Sequence, residues 1–86
     1  MTKQIIKKVF RYTAIFEPAE EGGYSVSVPT LPGCITEGDT LEEAMKMVED
    51  AIFGYIASLK KHNEPIPEEI RPSLVSVIDI PVSITA

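Results

Sequence analysis

Between residues 41 and 59 the apolar side chains Leu41, Ala44, Met45, Val48, Ala51, Ile52, Tyr55, Ile56 and Leu59 recur at helical spacing. They form one stripe, the signature of an amphipathic helix that must bury one side. No other feature constrains the fold as tightly. Thr40 and Glu43 form a T-x-x-E capping box at its start, so the helix begins at Leu41. Acids (Glu42, Glu43, Glu49, Asp50) come early and cations (Lys60, Lys61) late, as the helix dipole favours, and Glu42 is placed to pair with Lys46. His62-Asn63 and then Pro65 and Pro67 end it, because proline cannot continue a helix. Some 21 residues span ~30 Å, about the width of a small domain.

The residues before the helix change period. Residues 8–17, KVFRYTAIFE, alternate, with Phe10, Tyr12, Ala14 and Phe16 on one face. PAEEGG is turn chemistry, and YSVSV at 24–28 alternates again with Tyr24, Val26 and Val28 together, which predicts an antiparallel hairpin. A short third strand is expected at Cys34–Glu37 after the Pro29–Gly33 bend. The tail SLVSVIDIPVSI reads as a last strand that is apolar on both faces. The predicted fold is α+β, ordered β-β-β-α-β: an antiparallel three-stranded sheet, one crossover helix and a final parallel strand reached by a right-handed connection. One helix covers one face of such a sheet. The open face and apolar edges therefore predict a homo-oligomer, most simply a dimer, with Pro81 limiting pairing to one side of its strand. Phe53, off the helix stripe, agrees.

The 86 residues form a single domain, 1–86, with a modest core. No apolar run is long enough to cross a membrane, and charges interrupt the N-terminal segment, so neither a membrane span nor a signal peptide is expected. One cysteine suits a reducing cytoplasm. The net charge of −5 disfavours nucleic acid and favours basic proteins, despite a small patch of Lys3, Lys7, Lys8 and Arg11.

No complete catalytic set emerges. Cys34 would need a base, and the only histidine, His62, lies at the far end of the helix. One Cys and one His do not make a zinc site, so no metal or cofactor is expected. A two-metal nuclease would need acids on strand 1, the helix and strand 4. Strand 1 has none before Glu17, strand 4 has only Asp79, and the helix acids lie mostly off the apolar stripe. GCITEG lacks the lysine and hydroxyl of a phosphate loop. Gly33, Gly38 and Thr40 are therefore structural: two turn glycines and a helix cap.

The compound pattern YTAIFE (12–17), GYSVSVP (23–29), LPG (31–33), Thr36, GDT (38–40), Glu43-Ala44 and Ile66-Pro67 resembles the HicB antitoxin family over roughly residues 8–67. That resemblance implies a degenerate ribonuclease H-like fold, no catalysis, and an antitoxin of a toxin-antitoxin system. It also implies a partner: a small, basic, RNA-cleaving HicA-like toxin. An acidic protein suits such a partner, and Glu20, Glu21, Glu37, Asp39, Glu42 and Glu43 are the candidate contacts. Many HicB proteins continue into a DNA-binding domain. Here the residues after Pro67 read as a strand, so direct operator binding is not expected. The alternative is a stand-alone small oligomeric binding or structural protein of the same fold, with no toxin.

Overall fold

The computed structural model describes residues 4, 5 and 7–85; Lys3 of the basic patch lies outside them. Three short strands, β1 (Ile15–Pro18), β2 (Tyr24–Ser27) and β3 (Ile35–Gly38), precede one helix, α1 (Leu41–Lys61). The sheet order is β1-β2-β3, antiparallel throughout. Phe16, Val26 and Thr36 are opposite one another and face the helix. Ile15, Ser27 and Ile35 form the next row, on the open face, with Ile35 exposed. The fold class is α+β.

The core is small. Val26, Val28, Leu31, Cys34, Ala44 and Val48 are buried together, with Tyr12, Ala14, Phe16, Tyr24, Ala51, Ile52 and Tyr55 packed around them. Residues 28–34 are closed on themselves: Val28 N–H donates to Cys34 O, Leu31 N–H to Val28 O and Cys34 N–H to Leu31 O, each at 3.0 Å. Gly33, with φ of +81°, lets the chain turn there. Tyr55 hydroxyl donates to Pro32 O at 2.8 Å and ties the helix to this bend.

Both helix ends behave as their residues dictate. Thr40 is extended (φ −129°, ψ 164°), and its hydroxyl oxygen accepts from Glu43 N–H at 3.0 Å. At the other end Asn63 takes a left-handed φ of 54°. Asn63 N–H donates to Lys60 O and Glu64 N–H to Leu59 O, the paired bonds of a Schellman motif with asparagine in place of glycine. His62 caps the helix, and its Nδ1 lies 2.7 Å from Ser58 O.

Four expectations need correction. First, the opening strand starts at Ile15, not at residue 8. The ladder stops because the next pair would join Thr13 to Pro29: Pro29 has no N–H to give, and Thr13 N–H is taken by Glu69. Residues 9–14 continue without strand pairing. Second, Leu41 and Met45 are about half exposed although they lie on the stripe. Ala44 and Val48 take the face against the sheet, and Leu41 and Met45 stand to one side of that line. Third, Glu42 and Lys46 do not pair; among the described residues the ion pair is Lys8–Glu68. Fourth, residues 72–85 form no strand within the chain. They are exposed along their whole length, so the final parallel strand is not part of this sheet.

Candidate protein-binding site

Hairpin register decides what meets at the helix start. Tyr24 is opposite Gly38, so the β1–β2 turn ends beside the β3–α1 connection. The approach is close: a Cβ on Gly23 would stand 2.6 Å from Gly38 O and 3.2 Å from Asp39 Cα. The turn carrying Glu20 and Glu21 therefore ends against Gly38 and Asp39, and two residues later the helix opens with Glu42 and Glu43. Glu37 is opposite Ser25 on the open face, in the same row as Glu17. All six candidate contact acids are exposed. Distant in sequence, they belong to one end of the sheet and the helix terminus joined to it. The partial positive charge of that terminus offsets part of the repulsion among Asp39, Glu42 and Glu43.

The remaining candidates are not brought together. Cys34 is buried among Leu31, Ala44 and Val48, and burial pushes its thiol pKa up, away from the nucleophilic thiolate. His62 sits at the opposite end of α1. Glu49 and Asp50 are exposed on the helix, and Asp79 is exposed on the tail. Among the described residues no group of three or more His, Cys, Asp or Glu side chains is arranged to hold a metal ion. Among the described residues no helix is long and apolar enough to cross a membrane.

A second cluster carried no local signal in the sequence. The Glu69 carboxylate accepts from Thr13 N–H at 2.9 Å, from the Thr30 hydroxyl at 2.8 Å and from the Thr13 hydroxyl. These bonds, those from Thr13 foremost, hold its pKa below the usual carboxylate range. Beside it the Tyr12 hydroxyl donates to Pro67 O at 2.6 Å. Burial and then the nearby Glu68 and Glu69 charges push the Tyr12 pKa up. Together these contacts fasten the segment after the helix to the residues leading into β1. Glu69 sits in a proline-rich stretch without periodicity, and its partners lie 39 and 56 residues away, so no spacing rule finds it.

Residues 12–80 match the family described as HicB_like antitoxin of bacterial toxin-antitoxin system. A UPF0150 protein of Thermoplasma acidophilum is 52% identical over 59 residues, covering 69% of this chain and 86% of that protein. Antitoxin HicB 1 of Photorhabdus laumondii is 40% identical over 83 residues, covering 96% of this chain and 53% of that protein. Antitoxin HicB of Escherichia coli K12 is 35% identical over 78 residues, covering 88% and 56%. The chain thus spans about half the length of these two antitoxins. The match runs from Tyr12 in the fastened lead-in, through the sheet, both turns of the acidic end and the whole helix, and into the tail: the chain belongs to the HicB-like antitoxin family.

Proposed function

We propose that this chain is an antitoxin that binds and neutralises a small, basic, RNA-cleaving HicA-like toxin in the cytoplasm. The observation that carries the reading is the convergence of Glu20, Glu21, Asp39, Glu42 and Glu43 at one end of the molecule, with Glu37 on the adjoining strand. Such a field draws in a basic partner and orients it, while lasting contact comes from apolar surface beside the charges. Leu41 and Met45, half exposed on the first two turns of the helix, supply that surface. The role is binding without catalysis, within a degenerate ribonuclease H-like fold and as a homo-oligomer. Gly33, Gly38 and Thr40 shape the backbone and do not contact the toxin.

Co-expression with a small basic protein encoded next to this chain tests the reading. Relief of growth arrest together with co-purification is expected. If arrest persists and the two proteins do not co-purify, this chain is not that toxin's antitoxin. A second reading, a stand-alone oligomeric binding or structural protein of the same fold, draws on the UPF0150 relatives, whose names assign no antitoxin role. Under it, the chain is oligomeric but leaves every such neighbour active.

A further inference from the structure

A chain of 86 residues folded into one compact body has a radius of gyration of about 12 Å. This one has 17.8 Å and a longest extent of 77 Å. The tail, exposed from residue 72 to residue 85, is drawn out from the core. From Leu74 to Ile84 it exposes seven large apolar side chains, and Leu74, Val77 and Ile84 are almost fully in water. Over the same stretch it carries one charge, Asp79. An extended apolar segment of this length, rich in Val and Ile, has the character of a strand that lacks its partner.

The receiving surface is on the same chain. Residues 9–14 lie beyond the end of the β1–β2 ladder, and with the second half of α1 they wall an open groove of roughly 1410 Å³. Its apolar lining includes Val9, Phe10, Ile52, Phe53 and Ile56, of which Val9 and Phe53 are strongly exposed. Lys7, Lys8, Arg11 and Lys60 stand around it against a single acid, Glu49, a setting that suits the lone Asp79 of the tail.

The chain's own tail passes the groove at Pro72, Ser73 and Val75 and then leaves it. Two features keep it from returning. Glu69 is held by Thr13 and Thr30, which fixes where the tail departs. Pro72, with its fixed φ and no N–H, stiffens the residues that follow, and the tail runs on exposed from there. Each copy therefore carries both an unpartnered strand and an unfilled groove, and a two-fold pair satisfies both at once and closes at two.

We propose that two copies of this chain exchange their tails: residues 76–84 of each add as a strand beside residues 9–14 of the other and fill its groove. This supplies the missing fourth strand from a second copy and gives a structure to the oligomer of the reading above, on which it rests. The area is sufficient. Beyond Val75 one face carries four aliphatic side chains, Ile78, Ile80, Val82 and Ile84, which at roughly 100 Å² apiece bury on the order of 400 Å² per tail. Two tails and the two faces that receive them reach the ~1,600 Å² of a stable interface.

The test uses the full-length chain. Isotope-labelled and unlabelled protein are unfolded together, refolded and examined by isotope-filtered NMR, with the mass measured by sedimentation in the same buffer. A dimer is expected, with contacts from the methyl groups of Ile78, Ile80 and Val82 to the Phe10 and Phe53 rings arising between labelled and unlabelled chains. A dimer whose tail contacts are all within one chain overturns the exchange and leaves the oligomer standing. A monomer at about 50 µM, a concentration at which an interface of this size is formed, overturns both. Ile78→Asp with Ile80→Asp should weaken the dimer at least about 30-fold while helical circular dichroism is retained. An unchanged dimer in that variant also overturns the exchange. Toxin co-purification is read separately, so neither result stands in for the other.

Discussion

Gly38 and Ala44 are in contact across the β3–α1 connection: a Cβ on Gly38 would stand 2.5 Å from Ala44 N and 2.7 Å from Ala44 Cα. Both atoms belong to helix backbone and cannot swing aside. The glycine is required by this approach, whereas at Gly33 it is the positive φ that favours glycine. Ala44 is itself completely buried, so the helix start is pressed onto the end of β3. Gly38→Val should therefore cost about 3 kcal/mol, the upper range for overpacking a filled site. Urea unfolding followed by circular dichroism measures it, and a loss below about 1 kcal/mol would show that the connection yields.

Thr40→Ala removes the hydroxyl oxygen that accepts from Glu43 N–H. The expected cost is about 1 kcal/mol. Thr40→Ser, which keeps the oxygen, should recover most of it. Should both variants keep full stability but lose the partner, the turn is a recognition element and not a cap.

Glu69 makes stability depend on acid. Its pKa is lower in the folded chain than in the unfolded one, where a glutamate sits near 4.3. Between the two values the unfolded state binds more protons, so stability rises with pH. The contribution is complete above the unfolded pKa and is lost as pH falls through the lower, folded one. Glu69→Gln should remove that part of the acid limb, visible as a flatter plot of urea midpoint against pH. An unchanged limb would mean that the Thr13 and Thr30 bonds do not outlast solvation in water.

Binding of a basic toxin should show the kinetics of a charged end. Raising salt from about 0.05 to about 0.5 M should slow association by about an order of magnitude and alter dissociation less. Neutralising Glu20 and Glu21 together should act in the same direction without affecting the fold, since both are exposed turn residues. Association that ignores both salt and this double variant would place the contact elsewhere.

Local chemistry was legible in the residues themselves. The helix limits follow from Thr40, the 41–59 stripe and the His62-Asn63 terminus; the hairpin follows from two alternating runs around a glycine turn; Phe53 reads as outward and is outward. Each depends on neighbours within about four residues, where backbone geometry leaves few choices. The length of β1 was not legible, because it is set by the register that would join Thr13 to Pro29 and by Glu69, which takes Thr13 N–H. Nor was the reason for Gly38, which lies in a helix backbone six residues on. Tertiary structure alone placed the β1–β2 turn against the helix start and gave Glu69 partners from two distant segments. It also decided the fate of the tail. The Val- and Ile-rich run 74–84 favours a strand, but a strand's backbone groups are satisfied only by a neighbour, and composition carries no information about which chain supplies it.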